Sequence, residues 1–238
     1  MIRKEGQFYI NRDRGLSLGI DSSNMENCIS EFNKQYKFLK RGKPYISIFG
    51  HHSFGFKEPN LNFLKHFKKV EKIWFWDVSL NDIEGIYFLQ NLKSIGLIGK
   101  RPAIDFSHFK FLKEITVDWE TKDYHLEYCE NVEDFYLWHH KPKEKNFNAF
   151  KFPLNCKNSA SLNWTNVEDL STLNGLKGVK KIEIHRSRNL KSLKGIEKYS
   201  DTLEQIIVTT CGKLEEYEFI KEFPNLKKAY INKEVLIK

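Results

Sequence analysis

Two pairs of adjacent histidines, His51-His52 and His139-His140, and the close pair Glu183 and His185 are the side chains whose types suit metal ligation or proton transfer. Neighbours on an extended strand point to opposite faces, so neither histidine pair is expected to chelate a metal. Glu183 and His185 alternate along Lys181-Ile-Glu-Ile-His185 and share a face, but two residues of one strand supply no pocket for acid-base work. The sequence has no Gly-x-Gly-x-x-Gly, no phosphate-binding Gly-Lys-Ser/Thr loop, no His-Glu-x-x-His and no Cys-x-x-Cys. Catalysis, a metal and a cofactor are therefore not expected. Large aromatic and acidic residues carry the stronger signal, because they fall between apolar residues of short alternating runs. Trp74 and Trp76 flank Phe75; Glu114 and Asp118 frame Ile-Thr-Val; Asp134, Tyr136 and Trp138 alternate with Phe135 and Leu137. Such residues point away from a face that buries its apolar partners.

The runs belong to a repeat. Ile86, Leu89, Leu92, Ile95 and Leu97 give apolar steps of three, three, three and two residues. Leu64 to Phe75, Phe106 to Val117, Leu126 to Leu137, Leu173 to Ile184 and Ile220 to Ile231 match the same template. Ile196 to Val208 carries one extra residue, and Leu154, Lys157, Ala160 and Leu162 form a degraded copy. The third positions, Val70, Leu92, Leu112, Val132, Lys157, Val179, Leu203 and Leu226, lie 20 to 25 residues apart. A fixed period of that size means stacked supersecondary units.

On these residues the chain resembles the leucine-rich repeat family, with the short repeats of internalin-like bacterial proteins. Val179-Lys-Lys-Ile-Glu-Ile184 and Leu203-Glu-Gln-Ile-Ile-Val208 carry the Leu-x-x-Leu-x-Leu pattern. The resemblance implies an α/β fold, a curved right-handed solenoid of about eight repeats with a parallel sheet on its concave face. Where the family has a ladder of Asn or Cys, this sequence has Val78, Lys100, Glu120, His140, Thr165, Ser187, Cys211 and Glu234. A mostly missing ladder and an irregular solenoid are the expectation.

Residues 1–42 do not follow the template and are expected to form an N-terminal cap. Gln7 to Asn11 and Leu16 to Ile20 suggest a hairpin, and Met25, Ile29, Phe32, Tyr36 and Leu39 a helix entered through Asp21-Ser-Ser-Asn24. Residues 43–238 then form the repeat domain, starting with a strand over Tyr45-Ile-Ser-Ile-Phe49. Residues 141–153 break the rhythm and are expected to bulge outward, while Val235-Leu-Ile237 closes the far end. Cys28, Cys129, Cys156 and Cys211 are widely separated, which predicts reduced, mostly buried thiols.

A net charge of +8 suggests a polyanion at first. The face positions, however, hold Glu114, Asp118, Asp134 and Glu183 against Lys72, Lys181 and Lys228, and no compact basic block occurs. The expected activity is non-enzymatic binding of a protein partner. Trp74, Trp76, Tyr136 and Trp138 would be anchors, Glu114, Asp118, Asp134 and Glu183 would set charge preference, and His185 would stand beside them. An immunity protein masking a basic toxin, an adaptor and a secreted effector are the settings that the resemblance offers. Binding of RNA or another anionic surface through the basic convex side is the alternative. The absence of an 18-residue apolar run excludes a membrane-spanning helix. The polar start Met-Ile-Arg-Lys-Glu predicts a cytoplasmic protein, and a monomer is expected.

Overall fold

The three-residue step of the template is a backbone hydrogen-bond ladder. In a computed structural model describing residues 3–5, 8–11, 15–37, 45–119 and 122–237, the N–H of Leu64 donates to Leu61, that of Phe67 to Leu64 and that of Val70 to Phe67, at 2.8 to 3.0 Å. Ile86, Leu89 and Leu92 repeat the pattern from Ile83 onward at 2.9 to 3.1 Å. These are 3-10 bonds, which bring residues i and i+3 to the same side. Each apolar side chain so placed is buried, and its N–H, cut off from water, is satisfied three residues back. A strand follows each ladder, and there the step of two takes over.

The chain divides into two compact units: residues 1–104 with 108–112, and residues 105–107 with 113–238. In the first, β1 (Arg3–Glu5), β2 (Phe8–Asn11) and β3 (Gly15–Gly19) pair antiparallel in order. β3, β4 (Tyr45–Gly50), β5 (Lys72–Ser79) and β6 (Ser94–Lys100) then run parallel. The hairpin expected between Gln7 and Ile20 is the β2–β3 pair, with Gln7 itself outside the described residues. Helix α1 (Met25–Lys37) starts after a short turn that Asp21 caps by accepting the Ser23 N–H at 3.0 Å. Leu39, expected in the same helix, also lies outside the described residues. Cys28 and Phe32 bury the inner side of α1, and the Phe32 ring meets Phe67 edge-on at 4.9 Å.

The second unit has β7 (Glu114–Asp118), β8 (Asp134–Trp138), β9 (Ser159–Asn163), β10 (Lys181–His185), β11 (Gln205–Thr209) and β12 (Lys228–Ile231), all parallel and in register. Val235-Leu-Ile237 falls within β13 (Glu234–Ile237), which returns antiparallel to β12. Phe135, Ala160, Ile182, Ile206 and Ala229 form one buried row, and Leu137, Leu162, Ile184, Val208 and Ile231 the next. Burying each Leu or Ile side chain is worth about 1.5–3 kcal/mol.

Three expectations are corrected. Residues 141–153 do not bulge outward: Phe147, Phe150 and Phe152 are buried, and Phe152 meets Phe135 edge-on at 5.7 Å. Phe150 also packs near Phe135, at 6.2 Å, and Phe147 stacks on His140 at 4.9 Å. Leu154 and Lys157 are not template anchors; both are exposed, and Cys156 is the buried residue instead. The inward ladder also persists in part, since Thr165 and Ser187 are buried and share a hydrogen bond at 2.8 Å. His139, Trp164, Arg186, Thr210 and Asn232, each directly after its strand, take left-handed backbone with φ of 53° to 59°. That kink turns the chain off the sheet at the same place in successive repeats. All four cysteines are free and buried, and burial pushes Cys129 and Cys156 up to about 12.

Candidate functional site

On β8, β10 and β11 inner residues are buried and alternate residues partly exposed, as the spacing predicts, whereas Thr116 on β7 and Ser159, Ser161 and Asn163 on β9, expected on the same outward face, are buried. On the second unit, in-register pairing arranges them as a lattice on four strands. Glu114, Asp134, Ser159 and Lys181 make the first row; Thr116, Tyr136, Ser161 and Glu183 the second; Asp118, Trp138, Asn163 and His185 the third. Ser159, Ser161 and Asn163 are short and nearly inaccessible. In register they lie between Tyr136 and Trp138 on β8 and Glu183 and His185 on β10.

The acids of this lattice are not equivalent. Asp134 Oδ1 accepts from Asn158 Nδ2 at 2.7 Å and from Ser159 Oγ at 2.5 Å, two neutral donors that leave its charge uncompensated by them. Asp118 Oδ1 lies 2.7 Å from His139 Nδ1, and Glu183 Oε1 pairs with Lys181 Nζ at 2.8 Å. The Tyr136 phenol is raised above its ordinary value, first by burial, against a hydrogen bond with Ser159, and further by Asp134, Glu114 and Glu183. Three carboxylates thus act on one half-buried phenol. His185 is lowered, chiefly by burial and against the pull of Glu183, and its Nδ1 lies 2.7 Å from Thr209 Oγ1.

The row of left-handed residues beyond the strands adds groups that alternation did not reveal. His139 stacks on Trp164 at 5.1 Å and 14°, the Arg186 guanidinium lies 4.7 Å from the Trp164 ring, and Trp138 meets Trp164 at 5.4 Å. Their signal in the sequence is position: each follows the last residue of a strand by one.

On the first unit, Trp74 and Trp76 point outward from β5, and both are engaged. A Cβ at Gly96 would lie 2.2 Å from Trp74 Cε3, so the ring occupies the space that glycine leaves. Trp76 stacks on His51 at 4.6 Å and 10°, with the Phe54 edge 5.8 Å away. Phe49, on the same side of β4, is covered by Phe54 at 5.0 Å. The result is an apolar platform.

The two histidine pairs also differ from expectation. Neither lies on one strand: β4 ends at Gly50 before His51 and His52, and β8 ends at Trp138 before His139 and His140. His51 and His52 therefore do not diverge; their ring centroids are 3.8 Å apart. His139 is exposed, whereas His140 is buried, stacked on Phe147 at 4.9 Å, and held down to about 4 by burial. Neither ring nitrogen of His140 has a hydrogen-bond partner among the described residues. No helix among those residues is long and apolar enough to cross a membrane. Among known proteins, no family model matches the chain and no curated protein matches it.

Proposed function

We propose that this chain is a leucine-rich repeat module that binds a protein partner through the outward strand face of its second unit and performs no chemistry itself. The observation that carries the reading is the half-buried Tyr136 among Asp134, Glu114 and Glu183, one position from Trp138 on the same face. Tyr and Trp anchor protein interfaces because each buries a large rigid area and keeps a polar handle. Carboxylates beside the ring favour a partner segment with Lys or Arg side chains, whose alkyl stems cover the aromatics while a charged end meets Asp134. Asp118 and Glu183 contribute less charge, because His139 and Lys181 already face them. His185 lies on the same face, across β9 from Trp138. Trp74 and Trp76 offer a separate apolar contact on the first unit.

The template, its spacing and the parallel strands support membership of the repeat class, with the hairpin and α1 serving as its N-terminal cap. A cytoplasmic monomer that masks a basic toxin domain, as an immunity protein does, is one setting in which this complementarity serves. Capture from native lysate tests the reading against the polyanion alternative. A protein partner should be retained when salt rises from roughly 50 to 200 mM, whereas a nucleic acid making several phosphate contacts would lose orders of magnitude in affinity. Capture of nucleic acid alone, with that steep salt loss, would contradict the proposal.

A further inference from the structure

His51, His52 and Asp77 meet at one point of the first unit through two unrelated backbone devices. His51 is extended, with φ −157° and ψ 152°, and caps a 3-10 turn over His52–Phe54. The change from strand to turn between the two histidines swings both rings to the same side. Asp77 arrives from β5, where the register with β6 shifts between Trp76 and Val78 and Asp77 itself is left-handed, with φ 54°. That bulge turns a carboxylate toward the two rings. Asp77 Oδ2 lies 3.2 Å from His52 Nδ1 and 3.8 Å from His51 Nε2, and one donor atom from each residue lies within 4.8 Å of the others. Among the described residues this is the one such group of three.

We propose that these three side chains bind a divalent transition metal of the imidazole-preferring class, with Zn²⁺ as the reference ion. Bonds of about 2.0–2.1 Å in a tetrahedral zinc site separate neighbouring ligand atoms by roughly 3.3 Å. The 3.2 Å separation meets that value, and the 3.8 Å one closes by half an ångström of rotation. His52 and Asp77 have the freedom for it, being 64% and 73% exposed at their side chains. His51, at 14%, is the fixed ligand. Its Nδ1 accepts the Ser53 backbone N–H at 3.2 Å and faces Ser53 Oγ at 2.7 Å; metal binding at Nε2 exchanges the tautomer, so that Nδ1 gives up the backbone bond and donates its proton to Ser53 Oγ instead. An orienting hydrogen bond of this kind is the usual support of a metal-bound histidine. The Trp76 ring, parallel to His51 at 4.6 Å, backs the imidazole. Two nitrogens and one carboxylate disfavour Ca²⁺ and Mg²⁺, which demand oxygen ligands. The fourth coordination position remains for water or a donor from another molecule.

The full chain, stripped with a chelator, should be titrated with Zn²⁺ by calorimetry and with Ni²⁺ by tryptophan fluorescence, Trp76 serving as the reporter. The expected result is one saturable equivalent of Zn²⁺, quenching by Ni²⁺ that Zn²⁺ reverses, and at least tenfold weaker binding in Asp77→Asn and in His52→Gln. Both substitutions are at exposed side chains, so the metal-free melting temperature should not move. An ordinary surface ion pair would give no saturable binding. That result, or binding unchanged in both variants, overturns the proposal.

Discussion

In the first unit, Trp74 lies over Gly96 and Trp76 against His51, so each outward ring already has a partner within the fold. In the second, Tyr136 and Trp138 stand beside Ser161 and Asn163, short buried residues, with Trp138 also against Trp164 at 5.4 Å and carboxylates at the border. An aromatic residue at an outward strand position is therefore not by itself an interface anchor. The neighbouring strand decides what stands beside the ring: glycine in register at Trp74, short polar residues with carboxylates at the border at Tyr136.

The largest effect should come from the core beneath the second unit's face. Phe147→Ala should cost about 3–5 kcal/mol in chemical denaturation, since the ring is fully buried against His140 and Phe152. A cost under about 1 kcal/mol would return residues 141–153 to the surface. Next comes pH. His140 is held near 4 when folded, below the ordinary imidazole value of 6.5. The unfolded chain therefore binds the proton more readily, and stability is complete above about 6.5 and lost as pH falls toward 4. At about 1.4 kcal/mol per pH unit the loss reaches roughly 3 kcal/mol. His140→Leu should flatten this dependence in melts between those pH values. Smaller still, Gly96→Ala should cost about 1–3 kcal/mol and alter the near-ultraviolet circular dichroism, because the new methyl group displaces Trp74. An unchanged spectrum would dissolve the distinction between the two faces.

Much of this architecture was legible because its two periods have separate physical causes. Leu64, Phe67 and Val70 recur every three residues because their N–H groups close 3-10 bonds, and Phe135 and Leu137 alternate because a strand has two faces. The outward residues of β8, β10 and β11 followed from the same count. What spacing does not encode was missed. Phe147, Phe150 and Phe152 are core because they pack on Phe135 and His140, a fact about tertiary neighbours and not about the segment. His51 and His52 converge because β4 ends at Gly50 and the chain enters a 3-10 turn at His52, and Asp77 joins them through a bulge. The engagement of Trp74 depended on Gly96, 22 residues along the sequence and its partner in register.

The most direct test compares capture of a lysate partner by the intact chain, by Tyr136→Ala/Trp138→Ala and by Trp74→Ala, each checked for folding by circular dichroism. The account predicts that the double variant loses the partner while Trp74→Ala keeps most of it and is the less stable protein. Undiminished capture by a folded double variant would contradict the assignment of binding to the second unit's strand face.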